Sequence, residues 1–76
     1  MTEQERMREY RDILILLLKG LGMSRPRIMI TMAIIRAHKI EREMINFIAT
    51  YRGKETTFTT QIFMSKLSQL TDGEKE

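Results

Sequence analysis

This sequence predicts an all-α fold, a small bundle of about four short helices. Apolar residues recur at three- and four-residue steps in each long segment, the spacing that lines one face of a helix. No run alternates apolar and polar residues as a half-buried strand would. Glycine, proline, serine and threonine cluster between the periodic segments, where helices stop and start.

The first helix starts at Thr2. Thr2 and Glu5 have the spacing of a capping box, in which each side chain satisfies a free backbone N–H of the first turn. Met7, Tyr10, Leu14, Leu17, Leu18 and Leu21 then share one face, while Ile13, Ile15 and Leu16 carry apolar surface around the rest of the cylinder. A helix that is apolar all round has to be covered all round, and a 76-residue chain has little material for that. Self-association follows as an expectation: a homodimer with Ile13, Ile15, Leu16 and Leu17 at its interface.

Lys19, Gly20, Leu21 and Gly22 end this helix, since either glycine can take the left-handed conformation that closes one. Ser24 is placed to cap the second helix. Pro26 is tolerated in a first turn whose N–H groups have no intrahelical partner. The second helix runs to about Arg36. The boundary after it holds neither glycine nor proline, and Met29, Ala33, Ala37, Ile40, Met44, Phe47 and Tyr51 could align on one continuous helix. A break around residues 37–39 is predicted, because a rod of about 27 residues is long for so small a domain. Ile40, Met44, Ile45, Ile48 and Tyr51 form the buried face of the third helix, which Gly53 stops. Thr57 or Thr59 caps the fourth, which runs to about Leu70 with Ile62, Phe63, Leu67 and Leu70 facing the core. Residues 71–76 are a polar tail expected to fray, within a single domain spanning 1–76.

Composition narrows the function. Hydrophobic residues make up 42% and charged residues 30%, a folding composition rather than a disordered one. With no cysteine and one histidine, a disulfide framework is excluded and neither a metal site nor a cofactor is expected. The apolar run from Ile13 to Leu18 lies between Asp12 and Lys19 and falls far short of the roughly 20 residues that span a bilayer. Glu3, Glu5, Glu9 and Asp12 precede it, the wrong charge for a signal peptide. A soluble, cytoplasmic protein with no membrane partner is the expectation. Glu41 and Glu43 are two apart and point to different sides of a helix, so they cannot work as a carboxylate pair. His38 reads as a solvent-exposed residue near a helix end. No phosphate loop, nucleophile elbow or acidic cluster is present, and the chain is expected not to be an enzyme.

The net charge of +3 is unevenly spread. Between Lys19 and Lys54 eight basic residues face only Glu41 and Glu43, a net +6, while the two ends together sum to −3. A basic middle between acidic ends is an electrostatic footprint for an anionic partner.

The segment Leu21-Gly22-Met23-Ser24-Arg25-Pro26-Arg27-Ile28 resembles the turn of helix-turn-helix repressors, whose usual form is Leu-Gly-Val-Ser-Arg-x-x-Val. Leu21 closes the first helix of such a motif, Gly22 makes the turn, Met23 plugs the angle, Ser24 caps the recognition helix and Ile28 anchors it. Leu18 stands where the family usually has a small residue, and Met29 and Ile30 stand where it has polar, base-facing ones. The resemblance implies a dimeric DNA-binding regulator with a helix-turn-helix-like corner, in which Arg25 and Arg27 reach the major groove and Ser24 meets a phosphate. Arg36, Lys39, Arg42, Arg52 and Lys54, with Lys19, would add phosphate contacts. The other reading of the same residues is a homo-oligomeric protein-interaction or scaffolding module without nucleic acid, whose first and second helices form a homodimer or receive a partner helix. Its methionine-rich second helix would receive a partner helix, because thioether surfaces repack to fit.

Overall fold

The computed structural model describes residues 2–72 and forms four helices: α1 (Glu3–Gly20), α2 (Arg25–His38), α3 (Glu41–Thr50) and α4 (Thr56–Asp72). No strand occurs among the described residues. α1 packs on α2 and α3, α3 also meets α2, and α4 closes the bundle chiefly against α3.

Local chemistry explains each boundary. At the start of α1, the Glu5 N–H donates to Thr2 Oγ1 (3.1 Å) and the Thr2 N–H donates to Glu5 Oε1 (2.9 Å), the expected capping box. At its end Gly22 is left-handed (φ 85°). The Gly22 N–H then reaches the Lys19 carbonyl (3.0 Å) and the Met23 N–H the Leu18 carbonyl (3.4 Å), the paired bonds of a Schellman closure. α2 ends the same way without a glycine. Lys39 takes the left-handed conformation (φ 56°), with its N–H on the Arg36 carbonyl and the Ile40 N–H on the Ile35 carbonyl, both at 3.2 Å. The break therefore lies at residues 39–40, at the end of the predicted interval. Half-buried Ile40 packs against the core beyond it, which offsets the strain of a left-handed lysine.

Three expectations need correction. Ser24 occupies the position before α2, but its hydroxyl makes no capping bond. Neither Thr57 nor Thr59 caps α4. The helix starts at Thr56, and Glu55 Oε1 accepts from the Phe58 N–H (2.8 Å), while the buried Thr59 hydroxyl donates to the Glu55 carbonyl (3.0 Å). The longer glutamate side chain reaches the free N–H groups of the first turn and takes the role assigned to a threonine. Last, α4 runs past Leu70 to Asp72, with the Thr71 hydroxyl donating to the Leu67 carbonyl (2.9 Å). The tail expected over 71–76 is thus helical at its start, and residues 73–76 lie outside the described residues.

The Glu55 cap carries a pH signature. Donation from the Phe58 and Thr57 N–H groups holds its carboxyl below the ordinary value of 4.5. A carboxylate with a depressed folded pKa stabilises above its unfolded pKa and loses that contribution as pH falls through the folded value. Glu55→Gln is expected to lower the melting temperature at neutral pH and to make the acid limb below pH 4.5 shallower than in the wild type. Parallel thermal melts across that limb check it.

The core is formed by Leu14 and Leu18 of α1, Ile28, Met32 and Ile35 of α2, Met44 and Ile48 of α3, and Phe63 and Leu67 of α4, all buried. The α1, α3 and α4 members lie on the stripes legible in the sequence, whereas Met32 and Ile35 of α2 do not: the stripe Met29, Ala33 and Ala37 read there is exposed. Ile45, Leu17, Leu21 and Leu70 pack around them half-buried. Tyr51 joins α3 to α4 through its ring, 5.0 Å from Phe47 and 6.1 Å from Phe58.

Candidate functional site

α2 presents one face to the core and the opposite face to solvent. Ile28, Thr31, Met32 and Ile35 are buried. Pro26, Met29, Ile30, Ala33 and Ala37 are exposed, at the three- and four-residue steps of a second stripe. Met29 is 62% and Ile30 63% exposed. Arg25, Arg27 and Arg36 are exposed on the same helix, which has no acidic residue. The outward side of α2 is therefore an apolar strip flanked by guanidinium groups.

At the corner before it, Leu21 and Met23 are half-buried and Leu18 and Ile28 fully buried. Ser24 and Arg27 border a shallow depression with Thr57, Thr60 and Gln61 of α4. Arg25 lies instead beside Lys19 and Met29, in the seam between α1 and α2.

The expected cation set is not gathered on one face. Arg36, Lys39 and Arg42 border a depression at the other end of α2, shared with Arg6, Arg11 and the carboxylates of Glu3 and Glu43. Arg52 and Lys54 border a groove between α1 and the end of α3. Along α2 the step from Arg25 to Arg36 is about 16 Å at 1.5 Å per residue. The eight residues named from the sequence thus fall into four separate places.

The four residues expected at an oligomer interface also divide. Ile13 is 43% and Leu16 67% exposed, so a single copy leaves the outer side of α1 uncovered. Leu17 is half-buried beside them. Ile15, also half-buried, lies on the other flank of α1, in the seam with α2.

Sequence reasoning missed two features. The first is the α1–α3 groove, about 460 Å³, with Ile45, Ala49 and Tyr51 forming its far wall. Its signal is the four-residue step from Ile45 to Ala49 beside Tyr51; the periodicity places Ile45 and Tyr51 on the buried face and says nothing of Ala49. The second is Glu41, 2% exposed, with Oε2 3.7 Å from Arg11 Nη1 and Oε1 lacking a hydrogen-bond partner among the described residues. Nothing in the sequence around Glu41 marks it as buried. His38 is exposed and its Nδ1 donates to the Ile34 carbonyl (3.0 Å), as a residue at a helix end would. No group of His, Cys, Asp or Glu among the described residues could hold a metal ion, and no helix among them is long and apolar enough to cross a membrane.

No family model matches this chain, and neither a curated protein nor a solved structure matches it.

Proposed function

We propose that this chain is a non-enzymatic protein-interaction module that receives an acidic amphipathic helix on the outward face of α2. The observation behind this reading is the exposure of Met29 and Ile30, 62% and 63%, in line with Pro26, Ala33 and Ala37. Exposed large apolar side chains aligned on one helix mark a protein contact more often than a solvated surface. Ala33 and Ala37 let a partner backbone approach closely, and Met29 adapts to what it meets. The flanking Arg25, Arg27 and Arg36 favour a partner with carboxylates beside its apolar stripe.

A second reading, the DNA-binding regulator, is favoured by one observation: no carboxylate among the described residues is paired with Arg25 or Arg27. It is weakened by the apolar side chains at the positions that would read bases, which offer neither donors nor acceptors to a groove edge.

One experiment separates the two. A displayed library of amphipathic helices is selected on the folded chain. The expected winners carry acidic flanks and bind Ile30→Glu about tenfold more weakly, with an unchanged circular dichroism spectrum. The regulator reading prevails if a labelled mixed-sequence duplex binds with a steep salt dependence, is released by Arg25→Ala with Arg27→Ala, and is still held by Ile30→Glu.

A further inference from the structure

The outward face of α1 differs from that of α2. Glu5, Glu9, Asp12 and Leu16 follow one another at steps of four, three and four, with Ile13 beside Leu16, and all five are exposed. The amino-terminal half of this stripe is acidic and its carboxyl-terminal half apolar. The groove beside the apolar half is walled by Ile13, Leu17, Ile45, Ala49 and Tyr51. Arg52 and Lys54 stand at its rim, next to Gly20 at the end of α1. Both cations are exposed, and neither is paired with a carboxylate among the described residues. Each copy thus carries an acidic strip at one end of α1 and a basic rim at the other, with uncovered apolar surface between them.

We infer that the occupant of this groove is α1 of a second copy, lying antiparallel across a two-fold axis near residues 14 and 15. An isologous contact needs a self-complementary surface, and an antiparallel α1 pair supplies one. About that axis Leu16 meets Ile13 of the other copy, and each Leu16 enters the groove against Leu17 and Ile45. Glu9 lies about 8 Å from the axis along the helix at 1.5 Å per residue, and Gly20 lies the same distance on the other side. Glu9 of one copy therefore falls over Gly20 of the other, where no side chain blocks it and where Arg52 and Lys54 stand. A Cβ built on Gly20 meets nothing within 4 Å in the single chain, so that surface is open to a partner. A parallel pairing would instead set acid on acid and base on base, a repulsion that fixes the orientation. This inference concerns α1 and stands apart from the reading of the α2 face.

The test is the mass of the full chain in solution by sedimentation equilibrium, from micromolar to millimolar protein. The wild type is expected at twice 9.0 kDa at the upper end. Leu16→Glu, at a position 67% exposed, is expected to sediment as a folded monomer. Glu9→Lys with Asp12→Lys is expected to be monomeric, and so is Arg52→Glu with Lys54→Glu. An equimolar mixture of these two charge variants is expected to restore the dimer, because each then presents the sign that the other requires. A wild type of single mass at every concentration would overturn the inference. So would a dimer that survives Leu16→Glu, or charge variants that stay monomeric when mixed.

Discussion

Glu41→Met should raise the stability of this domain, and Arg11→Ala should lower it. Glu41 begins α3, where a carboxylate is favoured by the helix dipole. Packing against α1 has nevertheless removed it from water: it is 2% exposed, one oxygen faces Arg11 at 3.7 Å and the other has no partner among the described residues. That separation allows Coulomb attraction but exceeds hydrogen-bond length. The desolvation cost is thus incompletely offset, the case in which an apolar side chain of similar volume does better. A gain of about 1–2 kcal/mol is expected for Glu41→Met after the lost dipole interaction is subtracted. Arg11→Ala removes the only cation paired with that carboxylate among the described residues. Because Arg11 is 30% exposed and water can partly replace it, the loss is expected near 2 kcal/mol, below the usual range for a fully buried pair. Urea denaturation measures both, and the double variant should recover most of the loss. A destabilised Glu41→Met with the double variant no better than Arg11→Ala would show that Oε1 has a partner in solution.

Phe63→Ala should remove about half of the stability that the chain has. Phe63 is the largest fully buried side chain and belongs to the helix with the fewest neighbours. Truncating a buried phenylalanine costs about 3–5 kcal/mol, through lost transfer energy and the cavity left behind. A domain of this length has about 4–11 kcal/mol in total at typical stability per residue. The variant is therefore expected to keep about half of the wild-type urea midpoint. Phe63→Leu should retain most of the stability. A Phe63→Ala midpoint within a tenth of the wild type would mean that α4 contributes little to the cooperative unit.

The core was more legible than the surfaces. Periodicity alone placed Leu14, Leu18, Met44, Ile48, Phe63 and Leu67 inward, and each is buried. The same rule misjudged what surrounds them. Ile45 and Tyr51 were read as core, yet they also wall an open groove. The +6 segment read as one footprint, yet a helix spreads its residues around a cylinder and the bundle turns each helix differently. Its cations consequently end in different depressions.

The amino-acid sequence by itself determined the four helices, the capping box at Thr2 and Glu5, the closure at Gly22 and the inward stripes of α1, α3 and α4, while α3 ends at Thr50, ahead of the Gly53 expected to stop it. These depend on contacts within a few residues, so local spacing encodes them. It also placed acid in the amino-terminal half of α1 and none in α2. Only the tertiary structure decided that Glu41 is shut away beside Arg11, that Lys39 rather than a glycine turns the chain, and that Ile13, Leu16, Met29 and Ile30 remain uncovered on a single copy. Each of these depends on which helix lies across which. A 76-residue chain has too few helices to hide every apolar face, and packing chooses the faces that stay open.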